Sequence, residues 1–201
     1  MSNISIIGTG NMARTIGTLA VAGGNTVEVM GRDQSKAADL AKALGGGATT
    51  GEWGTAPAGD IVIVALLYDA VVPAVAQYAD ALAGKIIVDI SNPFNPAADG
   101  LATREDTSIA QEAAKAAPAS ASVVKAFNTI FRHVLENGRP LDVFIAGDNA
   151  QAKASVEAFI ESLGLRPLDV GGLKMAYWLE GAGVIAMGLA RHQRAVHTHE
   201  Q

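Results

Sequence analysis

The chain has 201 residues, enough for one sizeable core and a small appendage but too few for two full domains. With 49% hydrophobic and 17% charged residues it reads as globular rather than disordered, and a net charge of -5 argues against generic nucleic-acid binding. No cysteine is present, which excludes disulfides, thiolate catalysis, iron–sulfur clusters and zinc–thiolate sites. The longest apolar stretch, 61–83, is interrupted by Asp69, Pro73, Gln77 and Asp80, so no membrane span is expected. No basic, apolar leader precedes the first strand pattern, and a cytoplasmic location is the expectation.

The first element is the most informative. Ile4-Ser5-Ile6-Ile7 is a short apolar strand, Gly8-Thr9-Gly10-Asn11-Met12-Ala13 a G-x-G-x-x-A turn, and an amphipathic run follows to Ala22. This succession predicts a dinucleotide-binding strand–turn–helix. Gly8 permits the tight turn, Gly10 lets a pyrophosphate approach the backbone, and Ala13 allows close helix–strand packing. The free N–H groups of the helix start then face the phosphates.

The next strand, over 26–31, ends Val29-Met30-Gly31-Arg32. An NAD binder carries Asp or Glu near this point for the ribose hydroxyls. Here Gly31 ends the strand and Arg32 follows, and a guanidinium can take a 2′-phosphate through two charge-assisted hydrogen bonds. Lys36, in the first turn of the following helix (35–44), supplies a second cation, with Asp33 or Ser35 as its N-cap. NADP rather than NAD is therefore expected.

Further strands are predicted over 61–66, 85–90, 122–126, 142–146 and 166–170, several as continuous Val/Ile/Leu runs suited to parallel strands covered on both faces. Helices are predicted over 69–82, 108–116, 149–163 and 174–194, with Asp69 and either Asp148 or Asn149 as caps. The alternation gives an α/β chain, a doubly wound, mostly parallel Rossmann sheet. It is read as a single NADP-binding unit over 1–201, with 174–201 a C-terminal helix and tail. Ligands on such sheets bind beyond the carboxyl ends of the strands, so the loops there hold the candidates. After 61–66, Leu66 and Leu67 are placed beneath the ribose and nicotinamide. After 85–90, Ser91-Asn92-Pro93 carries polar groups suited to a ribose or carboxamide. After 122–126, Ala126 leads into Phe127-Asn128-Thr129, placed beside the nicotinamide or second substrate, with His133 within reach. Lys125 is expected to pair with Asp89 on the neighbouring strand. His197 and His199 invite a metal reading, but a tail without an assembled carboxylate set does not support one, and no metal is expected. No catalytic acid or base can be assigned, which suits hydride transfer between rings held in register.

The segments Gly8-Thr9-Gly10-Asn11, Gly31-Arg32 with Lys36, Val123-Val124 followed by Thr129-Ile130, and above all Leu165-Arg166-Pro167-Leu168-Asp169-Val170-Gly171-Gly172-Leu173 resemble those of the NADPH-dependent reductases of the deazaflavin coenzyme F-420. The resemblance implies hydride exchange between NADPH and a deazaflavin, in a protein that is usually a homodimer. It places Thr9, Gly10, Asn11 and Met12 on the pyrophosphate and Gly31, Arg32 and Lys36 on the 2′-phosphate. It also places Leu66, Leu67, Val71, Ser91, Asn92, Pro93 and Ala126 at the nicotinamide end. This chain departs from the pattern at Leu66-Leu67-Tyr68-Asp69, at Ser91-Asn92-Pro93-Phe94 and at Phe127-Asn128, all second-substrate positions. The acceptor is accordingly read as a flat ring: deazaflavin, flavin or quinone-like. Two alternatives stand beside it: an NADPH-sensing domain, and a pyrroline-carboxylate-reductase-like imine reductase suggested by the first glycine turn. In the last helix, Met175, Trp178, Leu179, Ile185 and Met187 are expected to pack partly against a second subunit.

Overall fold

The computed structural model describes residues 1–138 and 140–198, with side chains through His192. Its elements are β1 (Asn3–Ile7), α1 (Asn11–Ala22), β2 (Thr26–Met30), α2 (Gln34–Leu44), β3 (Thr49–Gly51), β4 (Ile61–Val64) and α3 (Tyr68–Tyr78). They continue with β5 (Ile86–Asp89), α4 (Ile109–Ala116), β6 (Ser122–Lys125), α5 (Arg132–Leu135), β7 (Asp142–Gly147), α6 (Ala150–Ser162), β8 (Arg166–Asp169) and α7 (Ala176–Thr198).

The strands form one sheet in the order β3-β2-β1-β4-β5-β6-β7-β8. All pairings are parallel except β6 with β7. Strand order reverses between β1 and β4, the crevice where a doubly wound sheet takes its ligand. Successive strand residues serve opposite faces. Ile63 of β4 joins the apolar cluster containing Ile4, Ile6 and Ile16, while Val62 and Val64 join the one containing Met30, Val71 and Val75. Every β4 side chain is buried, as continuous apolar strands under two helical layers require. Each such side chain contributes about 1.5–3 kcal/mol through burial.

Several boundaries differ from expectation. Thr49-Thr50-Gly51 is a strand at the sheet edge, too short and too polar to show a period. Helix α3 starts at Tyr68, so Asp69 lies in its first turn and does not cap it; the N-cap is Leu67, with no side-chain cap bond. That helix ends at Tyr78, and Ala79–Leu82 is a 3₁₀ turn. Asp33 caps α2 by accepting from Ser35 and Lys36 backbone N–H groups, and Asn149 caps α6. The last helix begins at Ala176, after a 3₁₀ turn over Leu173–Met175.

Because β7 runs against β6, both β7 and β8 run away from the crevice. The chain that follows β8 reaches Leu173 beside Val123, and α7 climbs back from there. Its Glu180 lies beside Lys125 at the end of β6, and Gly183 lies against Asn92 beyond β5. With about 1.5 Å of rise per residue, its second half passes the carboxyl edge of the sheet.

Candidate cofactor and substrate site

The β1–α1 turn has the geometry its glycines suggest. Gly8 sits at φ +129°, and a Cβ there would lie 2.3 Å from the Ala65 carbonyl oxygen, so only glycine lets β1 and the β4 loop come this close. Gly10 has open space where a Cβ would be, and α1 carries no side-chain cap over its first turn. A Cβ on Gly31 would lie 2.8 Å from the Thr9 methyl, so the absence of a side chain there lets the β1 and β2 ends converge.

These ends open on a cleft of about 610 Å³ lined by Thr9, Gly10, Arg32, Trp53, Leu66, Leu67 and the α3 side chains Asp69, Pro73 and Gln77. Arg32 is exposed, and its guanidinium lies 5.7 Å from the centre of the Trp53 ring. Among the described residues it has no ion pair and no side-chain hydrogen bond, so its donors face the cleft unengaged. Lys36 is exposed on the first turn of α2, 3.7 Å from Asp33. The Ser35 hydroxyl and the Lys36 backbone N–H hold the Asp33 carboxyl below its usual range, so it stays ionised as the helix cap.

A second space of about 190 Å³ lies on the other side of the α1 start, lined by Met12, Ile90, Asn92, Phe94, Phe127 to Arg132, and by Gly183 and Met187 of α7. It neighbours an apolar hollow of about 660 Å³ containing Thr129, Phe131, His133 and Leu189. His133 is exposed there and stacks on Phe131, with centroids 5.7 Å apart. The first turn of α1 thus borders both the cleft and the small cavity: Thr9 and Gly10 on one, Met12 on the other.

The predicted polar contacts here are turned toward each other. Asn92 Nδ2 donates to the Asn128 carbonyl at 2.7 Å, and Asn128 Nδ2 donates to Asn92 Oδ1 and to the Leu179 carbonyl, each at 2.9 Å. The pair locks the β5 and β6 loops to α7. Ser91 is buried with its hydroxyl lacking a partner, and Asn128 Oδ1 is likewise buried and unpartnered. Phe127 adopts φ +61°, a left-handed conformation that costs an L residue about 1–2 kcal/mol. Its ring lies edge-on to Phe159 in the core, centroids 6.4 Å apart, which holds that conformation in place. Val71 faces the core with no exposure, and Ala126 is equally buried, so neither presents a side chain to the cleft. For Val71 the physical reason is its position one turn into α3, on the sheet-facing side.

Beneath the loops lies a buried ionic cluster. Lys125 Nζ donates to Asp89 Oδ2 at 2.8 Å, to the Ser91 carbonyl at 2.6 Å and to Glu180 Oε1 at 2.8 Å, with all three charged side chains fully buried. Glu180 also accepts the Ile109 backbone N–H. Burial pushes the Glu180 carboxyl above its ordinary value of 4.5, and Lys125 opposes the rise. The strand register, Asp89 opposite Lys125, bears out the pair expected from sequence. Glu180 was not anticipated, since 55 residues separate it from Lys125 and it reads as an ordinary helix carboxylate. Trp53 and Gln77 are further lining residues that no spacing rule marks, while Phe94 and Met187, singled out in sequence for the second substrate and for a subunit contact, both line the small cavity. No cluster of three metal-ligating side chains occurs among the described residues; His197 and His199 lie outside the described side chains.

Strand order, glycine turn and crevice together define a Rossmann-fold protein, and known proteins narrow the class. The family described as NADP oxidoreductase, coenzyme F420-dependent, matches residues 3–93. The chain is 35% identical to Metalloreductase STEAP3 of Rattus norvegicus over 181 residues, 88% of this chain but 35% of that protein. It is 30% identical to the F420-dependent NADP reductase of Methanocaldococcus jannaschii over 139 residues, 65% of this chain and 62% of the relative. The chain thus spans less than two thirds of each of these curated relatives. A crystal structure from Arthrobacter sp. FB24, provisionally named an F420-dependent NADP reductase, superposes with a TM-score of 0.81 at 25% identity, covering 98% of this chain and 95% of that one. Residues 3–93 thus carry a match to the coenzyme F420-dependent NADP oxidoreductase family, and the whole chain is similar in fold to the Arthrobacter protein.

Proposed function

We propose that the protein is an NADP(H)-dependent oxidoreductase that passes hydride between NADPH and a flat ring acceptor: a deazaflavin, a flavin or a quinone-like compound. The observation that carries this reading is Arg32. It follows the end of β2, where an NAD binder has a carboxylate, and its donors face, unengaged among the described residues, a cleft that reaches the uncapped start of α1. Thr9, Gly10, Asn11 and Met12 would hold the pyrophosphate, Arg32 and Lys36 the 2′-phosphate, with Gly31 keeping the two ends close. Leu66 and Leu67 would floor the cleft, while Ser91, Asn92 and Pro93 would flank the nicotinamide. When bound, NADPH supplies the hydride. The chain's own part is to orient the rings and to exclude water, through Met12, Phe94, Phe127, Thr129 and the Asn92–Asn128 pair. His133 stands at the outer rim of the acceptor side.

The acceptor is where the relatives diverge, since one is named a metalloreductase and the other an F420-dependent reductase. An aromatic acceptor suits the apolar walls of the small cavity beside α1 and of the hollow that neighbours it. We further infer a homodimer built on α7, a single NADP-binding unit and a cytoplasmic setting; among the described residues no helix is long and apolar enough to cross a membrane.

The test is the affinity for NADPH and NADH before and after Arg32→Ala. A hydrogen bond to a charged group is worth about 1.5–3 kcal/mol, so losing the equivalent of one, with Lys36 retained, should weaken NADPH binding about 10- to 100-fold while NADH binding barely moves. Equal affinity for the two coenzymes in the native chain would end the reading. A spectrophotometric screen of NADPH oxidation against deazaflavin, flavin and quinone then identifies the acceptor; tight binding without turnover would favour a sensor.

A further inference from the structure

We propose that Trp53 is a specificity-determining residue of the 2′-phosphoadenosine subsite, acting as the aromatic plate that holds the Arg32 guanidinium over the mouth of the cleft. The inference rests on the NADP reading above and deepens it. Arg32 is an exposed side chain, and a free guanidinium at that position would lose rotamer entropy on meeting a phosphate. Here it lies 5.7 Å from the Trp53 ring centre, within cation–π range.

The plate itself is fixed from below. The Trp53 ring meets the buried Tyr78 ring edge-on, with centroids 5.4 Å apart. Its loop is anchored through Glu28 of β2, whose Oε2 accepts the Ser5 hydroxyl at 2.6 Å and the Ala58 N–H at 2.9 Å. Ser5 Oγ in turn accepts the Gly59 N–H at 2.8 Å. A carboxylate in the middle of β2 thus tethers the segment that carries the plate. The aromatic ring supplies the Arg side chain with a face that carries no competing anion, leaving its N–H donors for the ligand.

Calorimetric titration with 2′,5′-ADP and with 5′-ADP tests this without any turnover assay. Trp53→Leu should lower the preference for 2′,5′-ADP about two- to fivefold, the range of an exposed cation–π contact, with 5′-ADP affinity little changed. Trp53→Phe keeps a ring and should retain most of the preference. In the native chain 2′,5′-ADP should alter tryptophan emission, and that response should vanish in Trp53→Phe although the ligand still binds. This pair of measurements carries the test even if the leucine variant fails to fold. An unchanged preference in Trp53→Leu, or an emission response that survives in Trp53→Phe, overturns the role of Trp53 and leaves the NADP reading standing. A native chain with no preference for 2′,5′-ADP overturns both.

Discussion

At residue scale the molecule concentrates its electrostatic risk in one place. Lys125, Asp89 and Glu180 put one cation and two carboxyls in a fully buried site, and removing the cation leaves the carboxyls unpaired. Lys125→Met is expected to cost about 3–5 kcal/mol, measured by denaturant unfolding. The Glu180 carboxyl titrates above 4.5 because it is buried, so the folded state holds its proton more tightly than the unfolded one. Stability from that proton is full below 4.5 and is lost as pH rises through the raised value. Glu180→Gln lacks this loss. Relative to the native chain it should gain stability as pH climbs from below 4.5 toward neutrality, and parallel stability–pH curves for the two proteins would refute the assignment. Two of its three members were readable in the sequence, because parallel neighbouring strands put Asp89 and Lys125 in register. The third member was not, since nothing local tells a helix carboxylate that it will meet a strand lysine.

At the scale of elements, the β1–α1 turn tolerates no side chain at its first glycine. Gly8→Ala combines a left-handed φ with a 2.3 Å approach to the Ala65 carbonyl, and a loss of about 2 kcal/mol or more is expected in thermal unfolding. Pro73 has the opposite sign. It sits inside α3, where it withholds an N–H from the Asp69 carbonyl. Pro73→Ala should stabilise the fold by about 1–2 kcal/mol, after allowing for the freer unfolded chain, seen as a raised Tm. The glycine turn was legible because its chemistry is local: a strand, two glycines and a small residue in fixed order. So were the parallel strands, whose apolar runs reflect burial on both faces. The edge strand β3 and the Trp53 loop were not. Three residues show no period, and a lone tryptophan acquires its meaning only when Arg32 and Tyr78 are brought beside it. The Asn92–Asn128 pair shows the same limit, since sequence marks both as polar loop residues but not that they bind each other.

At the scale of the whole molecule, α7 bears an apolar stripe that the described residues leave open. Trp178, Ile185 and Leu189 are 65%, 68% and 60% exposed, and their spacing of seven and four residues sets them on one helical face. Leu179, about 100° round the helix from Trp178, is buried within its own chain, so the predicted interface set divides between exposed and buried positions. If the stripe closes an isologous dimer, sedimentation should give about twice the 20.6 kDa chain mass, and Ile185→Glu should return the chain to a single-copy mass. A native single-copy mass would remove the dimer from the proposal.

The reversal of β7 has a practical corollary for anyone handling this molecule. Strand β1 sets out from the edge remote from the crevice, whereas α7 has reached the crevice side by Met187 and Leu189. A reporter or affinity handle fused ahead of Met1 is carried away from the coenzyme, while a bulky label grafted onto position 189 stands near the acceptor's entrance. The two labelled versions should therefore bind nucleotide alike yet differ in how freely a bulky oxidant gains entry.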